Sequence, residues 1–273
     1  MAMVINTNIG SLNASRQLEV SSRDMSTSME RLTSGLRINS AADDAAGLAV
    51  VTSMTTQIMG TDMAIRNAND GISLAQTIDG ASEEMVNMMQ RQRELAIQSL
   101  NGTYSAENRT AMDAEFNALT AELTRISATT KFNGVSIMDT AVQIEIHAGW
   151  EDTAADSITV TAIGGTAIAT AVALLGVDSS TNAALAVTGL DGQISTLGTA
   201  RSGVGAVQNR LEYTVANLQN LSENMSASRS IIQDTDFAKE SADLARTQVL
   251  QQAGMSMLSQ ANQASQNVLQ LLQ

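Results

Sequence analysis

The segment TQVLQQAGMSMLSQANQASQNVLQLLQ, residues 247–273, ends the chain and has an unusual composition. It carries no charged side chain, yet eight of its 27 residues are glutamine. Its apolar residues recur with a period near 3.5, which is typical of a coiled-coil helix. The other positions hold Gln, Ser and Asn, which can be buried at a lower desolvation cost than a charge. The segment therefore predicts a helix with several protein neighbours.

A membrane span is the alternative for such a segment, but its glutamine amides would lack hydrogen-bond partners in hydrocarbon. The first 15 residues are also uncharged, and their apolar residues have helical spacing. We therefore expect the two ends to pair with each other and with the ends of further copies of the chain. The predicted polymerisation residues are Ile5, Ile9, Leu12, Leu250, Met257, Leu258, Val268, Leu271 and Leu272.

The composition favours thin helical packing over a large globular core. The 273 residues include no Pro, no Cys, three Phe, two Tyr and one Trp, but 15 Met. Few aromatics and many Met and Ala residues suit narrow seams between helices. The net charge of −13 argues against nucleic acid as a partner. The first residues contain no cleavable secretory signal, so we expect any export to use another route.

Helices dominate the first half of the predicted fold. Ser40 and Asp43 match a capping box that would open a long helix, and NGTYS at 101–105 would end it. A second helix follows, and the short turn predicts antiparallel packing of the two. Their predicted core positions are Ile78, Ala81, Met85, Met88, Gln92 and Leu95, then Met112, Phe116, Leu119, Leu123 and Ile126.

The second half begins with an alternating pattern that predicts one β-hairpin at about residues 142–162. Residues 163–182 show no strong period and are interpreted as a surface excursion. A long helix resumes near Thr181, and Asp234 and Asp236 favour the start of a final helix. The predicted fold class is mainly α: an elongated antiparallel helical bundle or coiled coil with one β-hairpin, in which the N- and C-terminal helices pair.

Several motifs in this order resemble bacterial flagellin along nearly the whole chain. They are ERLTSGLRINSAADDAAG (30–47), RNANDGISLAQT (66–77), QRQRELAIQS (90–99), KFNG (131–134), GAVQNRLE (205–212) and VLQQAGMSMLSQANQ (249–263). The variable outer domains of large flagellins are missing. The resemblance implies an inner filament-core domain from residues 1–42 and 233–273, and an outer coiled-coil rod domain from residues 43–232. The chain departs from the family at Ser265 and Gln273, where members commonly carry Pro and Arg.

The resemblance implies a structural subunit that polymerises into the flagellar filament used for swimming. Its expected partners are sister subunits, an export chaperone, the flagellar secretion apparatus, and the filament cap and junction proteins. Its expected location is the extracellular filament. The alternative is a hook-filament junction protein with flagellin-like terminal coiled coils, which would form no long filaments in electron microscopy. A secreted enzyme or adhesin with flagellin-like ends is disfavoured because no insert is large enough for a catalytic domain.

The side-chain inventory argues against catalysis and against a cofactor. With one His, no Cys and no HExxH motif, the chain can build neither a catalytic triad nor a zinc-protease site. His147 lies near Glu151, Asp152 and Asp156 in sequence, but a solvated hairpin face explains this grouping better than a metal site. We therefore predict that the chain is not an enzyme.

Two further sites rest on the resemblance. The stretch QRQREL is similar to the one by which Toll-like receptor 5 recognises many flagellins, and Arg91, Leu95 and Glu115 occupy matching positions. The residue pattern alone would make Leu95 a core residue and Arg91 a solvated one. Related flagellins are often modified on outward loops, which implies candidate O-glycosylation sites. These are Thr166, Thr170, Ser179, Ser180 and Thr181.

Overall fold

The computed structural model describes residues 7–139, 143–151 and 153–270, with side chains described as far as Gln263. The described residues confirm the mainly α fold class. The helices are α1 (Ile9–Ser34), α2 (Ala45–Leu100), α3 (Ala106–Thr129), α4 (Gly165–Ala173), α5 (Ser180–Gln233) and α6 (Phe237–Gln270). The strands are β1 (Lys131–Phe132), β2 (Val135–Ser136), β3 (Gln143–His147) and β4 (Ser157–Thr161), with a short 3₁₀ turn at Ala154–Asp156.

The chain divides into two compact units. The central unit is Gln57–Glu223, and the terminal unit comprises the described residues of Met1–Thr56 and Asn224–Gln273. Helices α2 and α5 each contribute residues to both units. The boundaries at 42 and 232 predicted from the sequence concern roles in a filament, and they remain a prediction.

The core of the central unit follows a stripe along α2. Buried positions alternate in steps of three and four residues, as a coiled-coil seam requires. They are Ala75, Ile78, Ser82, Met85, Met89, Gln92, Ala96 and Ser99. Of the predicted positions, Ala81 and Met88 are only half-buried. They therefore lie at the edge of the stripe.

Helix α3 packs antiparallel to α2, as predicted. Phe116 and Leu123 are fully buried, and Met112 is 8% exposed. Gln92 crosses the interface, where its amide nitrogen donates to the Phe116 carbonyl at 3.1 Å and to Thr120 Oγ1 at 2.8 Å. The polar member of the α2 stripe therefore fixes the register of the two helices.

Helix α5 covers the same core with one buried residue about every two turns. Its start at Ser180 agrees with the prediction near Thr181. The spacing of its buried residues settles at seven, which matches the predicted period of 3.5. The buried residues are Ala183, Ala186, Leu190, Leu197, Val204, Leu211 and Leu218.

The predicted hairpin is confirmed as β3 and β4, which pair antiparallel with Ile144 opposite Val160 and Ile146 opposite Ile158. Val142 lies outside the described residues. The expectation of a single hairpin was wrong, because β1 and β2 form a second, smaller one. Its turn is Asn133-Gly134, with φ of 47° and 82°. Asn-Gly favours such a turn because both residues tolerate positive φ.

The interpretation of residues 163–182 as a surface excursion was also wrong. They contain α4, whose face of Ile168, Ala169 and Val172 is buried against the core. The predicted capping box was wrong too, since α2 begins at Ala45 rather than next to Ser40. Ser40 and Asp43 close a turn with each other, and Asp44 Oδ1 caps α2 by accepting from the Gly47 N–H at 2.8 Å.

Candidate assembly surface of the terminal unit

Helices α1 and α6 of the terminal unit pack antiparallel along most of their described length. The Asn8 side-chain amide donates to the Ala261 carbonyl at 2.9 Å. Further along the pair, Ser21 Oγ donates to the Thr247 carbonyl at 3.1 Å. The predicted pairing of the N- and C-terminal helices is therefore confirmed for the described residues.

The seam between the two helices combines small residues with larger ones. A Cβ placed on Gly254 would lie 3.2 Å from Leu18 Cδ1, so glycine allows the close approach there. The seam positions alternate in steps of three and four, and all are buried or half-buried. They are Ser11, Ala14, Leu18, Ser21, Met25, Ser28 and Leu32 on α1, and Leu244, Thr247, Gln251, Gly254, Leu258 and Ala261 on α6.

Backbone hydrogen bonds close the seam where α1 ends and α6 begins. The Arg37 N–H donates to the Gln233 carbonyl at 2.6 Å, and the Thr235 N–H donates to the Gly35 carbonyl at 2.9 Å. Asp236 Oδ1 accepts from the Ala238 N–H at 3.0 Å and so caps α6, as the sequence predicted. The start of α6 is thereby tied to the end of α1.

A partly buried ion pair lies one turn inside this junction. Arg31 approaches Glu240 at 3.9 Å, and their side chains are 31% and 12% exposed. This pair joins the last turn of α1 to the first turn of α6, where the two charges also suit the helix dipoles.

Two helices with so narrow a seam cannot cover their own apolar residues. Among the predicted polymerisation residues, Ile9 is 63% exposed, Leu12 61%, Leu250 49% and Met257 61%. Further exposed residues on the same helices are Val20, Met29, Phe237, Val249 and Met255. These exposed apolar side chains make α1 and α6 the candidate assembly surface.

The remaining predicted polymerisation residues have different positions. Leu258 is half-buried in the seam. Its main neighbour is therefore α1 of the same chain. Val268 belongs to α6, but its side chain lies beyond the described ones. Ile5, Leu271 and Leu272 lie outside the described residues.

Within the described ranges, no three His, Asp or Glu side chains stand close enough to bind a metal ion. Asp152, one of the acidic residues near His147, lies outside these ranges. None of the described helices combines the length and the apolarity needed to cross a membrane.

In the central unit, the predicted receptor-binding residues form two layers. Arg91 Nε donates to Glu115 Oε1 at 3.0 Å across α2 and α3, and its Nη1 donates to Glu94 at 3.1 Å. The hydrogen bonds to Glu115 and then to Glu94 raise the pKa of the Arg91 guanidinium. Leu95 is 2% exposed and lies in the core, so the surface layer consists of the charged groups.

The candidate glycosylation residues differ in accessibility. Thr166 is half-buried and donates to Asp139 Oδ1 at 2.8 Å. Ser179 is half-buried, and its Oγ accepts from the Asn182 N–H at 3.3 Å in the first turn of α5. Thr170, Ser180 and Thr181 are exposed. The accessible candidates are therefore these last three.

Comparison with known proteins identifies the family. Residues 5–143 match the family described as "Bacterial flagellin N-terminal helical region", and residues 187–272 match the family described as "Bacterial flagellin C-terminal helical region". A flagellin of Halalkalibacterium halodurans is 44% identical over 271 residues, which cover 99% of this chain and 100% of the relative. The chain belongs to the flagellin family. Both matched regions include the helices that carry the assembly surface.

Another relative and one solved structure carry names of the same kind. The flagellar filament 33 kDa core protein of Treponema phagedenis is 40% identical, covering 99% of this chain and 100% of the relative. The crystal structure of Bacillus cereus flagellin has a TM-score of 0.51 and 30% identity, and covers 60% of this chain and 94% of that one. The chain is thus a structural subunit of the flagellar filament, in a family of structural rather than enzymatic proteins.

Proposed function

We propose that this family member polymerises through the exposed apolar residues of α1 and α6. The observation that carries the proposal is the exposure of Ile9, Leu12, Leu250 and Met257, between 49% and 63%, on helices that already pair with each other. Because residues 247–273 carry no charge, sister subunits can bury this surface without desolvating an ion. Filaments of this family are extracellular polymers of sister subunits, and this surface would be their inner contact.

The expected contact energy suits a reversible polymer. Burying one such side chain contributes about 1.5 to 3 kcal/mol, so four contribute roughly 6 to 12 kcal/mol as an upper bound. A micromolar association needs about 8 kcal/mol. A few apolar side chains on each helix therefore provide enough affinity for subunit addition.

The double substitution Leu250→Gln and Met257→Gln tests the proposal. It removes two apolar side chains that do not line the α1–α6 seam, so the folded monomer should be unchanged. The loss of about 1.5 kcal/mol or more per side chain should raise the critical concentration for seeded elongation by roughly a hundredfold, at 1.4 kcal/mol for each factor of ten. Light scattering and electron microscopy measure the elongation.

The matched control is Leu174→Gln, since Leu174 is 84% exposed but lies in the central unit. It should elongate like the wild type. Equal critical concentrations for the double variant and the wild type would refute the assignment of this surface. Failure of the wild type itself to form long filaments would favour the junction-protein alternative.

We further propose that an export chaperone covers α6 before the chain leaves the cell through the flagellar secretion apparatus. The support is the same exposed apolar surface, which would promote aggregation at cytoplasmic concentrations. On this proposal, the filament cap and the junction proteins contact the subunit only after export. A purified flagellar chaperone should slow hydrogen exchange at the backbone amides around Leu250 and Met257. Unchanged exchange rates along α6 would contradict the chaperone proposal.

We also propose that the surface made by Arg91 and Glu115 is the part of the monomer that Toll-like receptor 5 recognises. Both side chains are about half exposed, at 51% and 47%, and they bridge α2 and α3. Leu95 would act from beneath by supporting this surface. A test with Leu95→Ala is compromised because emptying a core site costs about 2 to 5 kcal/mol of stability.

Arg91→Ala and Glu115→Ala test the receptor proposal in a reporter-cell assay. Both should reduce the potency of soluble monomer. Arg125→Ala is the matched control, because Arg125 forms a similarly exposed ion pair with Glu122 at 2.6 Å. Full potency for Arg91→Ala, or an equal loss for Arg125→Ala, would remove the assignment.

We also propose Thr170, Ser180 and Thr181 as the sites of O-glycosylation. Their exposure supports access by a transferase, whereas Thr166 and Ser179 are half-buried. Intact mass spectrometry of protein taken from native filaments tests this. A mass equal to that of the bare chain would exclude modification at all five residues.

A further inference from the structure

The sequence contains two Asn-Gly steps, Asn101–Gly102 and Asn133–Gly134. At such a step the glycine nitrogen can attack the side-chain amide of the asparagine, because glycine has no Cβ to hinder the approach. We propose that Asn101 is a site of spontaneous deamidation, and that the fold protects Asn133 from the same reaction. No enzyme is required.

The first dipeptide, Asn101–Gly102, lies in the open turn that joins α2 to α3. Asn101 and Gly102 are both exposed. A Cβ built on Gly102 would meet no atom within 4 Å, and its N–H has no acceptor among the described residues. The attacking nitrogen is therefore accessible and is not held by a competing hydrogen bond.

A hydrogen bond also prepares the amide of Asn101 for attack. The Thr103 N–H donates to Asn101 Oδ1 at 3.2 Å. This bond holds the side chain of Asn101 toward the backbone that follows it. It also places a donor where negative charge develops on Oδ1 as the carbon–nitrogen bond forms, which stabilises the transition state.

The second dipeptide, Asn133–Gly134, is held in a conformation that is unsuitable for ring closure. Asn133 has a φ of 47° and Gly134 a φ of 82°, as in a two-residue hairpin turn. Phe132 pairs with Val135 and Lys131 with Ser136 on either side. To close the ring, the Asn133 backbone must rotate out of the turn, and that rotation would break the pairing of β1 with β2.

The reaction needs only water. The Gly102 nitrogen bonds to Cγ of Asn101, the Cγ–NH₂ bond breaks, and ammonia leaves with the proton from the Gly102 N–H. Water then opens the cyclic imide at either carbonyl and leaves aspartate or isoaspartate at position 101. Each event adds one negative charge to the turn.

Arg109 makes the new charge tolerable in the fold. Its guanidinium donates to the carbonyls of Ser99 and Asn101 at 3.0 and 3.2 Å, so a cation already lies beside position 101. Without it, an anion just beyond the last turn of α2 would oppose the helix dipole. The modified subunit should therefore stay folded and accumulate as a more acidic form.

Peptide mapping by mass spectrometry tests the proposal on the full-length protein. Purified protein is incubated at neutral pH, either folded or unfolded in urea, and isoaspartate is measured by enzymatic methyl labelling. In the folded protein, we expect Asn101 to convert several-fold faster than Asn133. In urea the two rates should become similar, because both are then unstructured Asn-Gly steps.

Gly102→Ala provides the second measurement, and its thermal midpoint serves as a folding control. It should suppress conversion at position 101 several-fold and leave Asn133 unchanged. Equal rates at the two asparagines in the folded wild type would overturn the proposal. Persistence of Asn101 during a period in which the unfolded chain converts would overturn it as well.

Discussion

Gln92 combines full burial with an incomplete set of hydrogen bonds. It is 0% exposed, and its amide nitrogen has two acceptors on α3. Its Oε1 has no donor among the described residues. An unpartnered buried acceptor costs about 1 to 3 kcal/mol. Gln92 therefore sets the register of α2 and α3 at some expense of stability.

Gln92→Met should raise the free energy of unfolding of the monomer by about 1 kcal/mol. The substitution keeps the side-chain length and removes the unpartnered oxygen. It leaves no polar group on α3 without a partner, since Thr120 Oγ1 still donates to the Phe116 carbonyl. Urea titration followed by circular dichroism measures the change. A loss of stability of similar size would show that the amide contributes more than its unmet acceptor costs.

At this scale, the residue pattern predicted the core well where apolar side chains mark it. Met85, Phe116 and Leu123 were expected in the core and are fully buried. The α1–α6 seam was not predicted residue by residue, because Ser11, Ala14 and other small residues contribute little to hydrophobic periodicity. Their alternating steps of three and four were the available signal.

Among the elements, the short ones escaped prediction. Helix α4 has nine residues, and its N-cap residue Gly164 provides no side-chain hydrogen bond, so no start signal precedes it. Its Ala, Thr and Gly residues do not distinguish a buried face from an exposed one. Strands β1 and β2 have two residues each, which is too few for an alternating pattern. The Asn-Gly step was the only local indication of that hairpin.

Two glycines of α2 provide a matched pair of substitutions. A Cβ on Gly60 would lie 2.9 Å from Trp150 Cβ and 3.4 Å from its Cα, whereas a Cβ on Gly80 would meet no atom within 4 Å. Gly60→Ala must therefore displace the loop and should cost about 1 to 3 kcal/mol. Gly80→Ala should add about 0.5 to 1 kcal/mol, because alanine is the better helix former.

Tryptophan fluorescence measures the effect of both substitutions, since Trp150 is the only tryptophan in the chain. Gly60→Ala should shift its emission to longer wavelength as the indole becomes more exposed. Gly80→Ala should leave the emission unchanged. An unaltered spectrum together with increased stability for Gly60→Ala would mean that the loop does not pack on α2 as described.

The turn between α1 and α2 should respond to acid. The N–H and hydroxyl of Ser40, followed by the Asn39 N–H, donate to Asp43 and lower the pKa of its carboxyl group below its usual range. The carboxylate therefore stabilises the turn fully above the pKa of the unfolded chain, and this contribution is lost as the pH falls through the folded pKa. NMR titration of the Asp43 carboxyl carbon should give a lower midpoint in the folded protein than in the urea-unfolded chain, and an equal or higher midpoint would disagree.

At the scale of the whole molecule, the two units differ in how far they bury their apolar residues. The central unit buries its own core of α2, α3, α4, α5 and the larger hairpin. The terminal unit pairs α1 with α6 and leaves large apolar side chains exposed. The uncharged ends of the sequence predicted the pairing of α1 with α6. The residues on the free surface could not be separated from those in the seam, because both have helical spacing.

Truncation after Asn267 tests the central claim, that the last helix serves assembly rather than monomer stability. It removes Val268, Leu269, Leu271 and Leu272, whose burial between subunits could contribute roughly 6 to 12 kcal/mol as an upper bound. The core of the central unit is built from residues between Ala68 and Leu211. The truncated monomer should therefore keep the wild-type thermal midpoint but fail to elongate preformed wild-type seeds, followed by light scattering and electron microscopy. Normal seeded elongation would contradict the account.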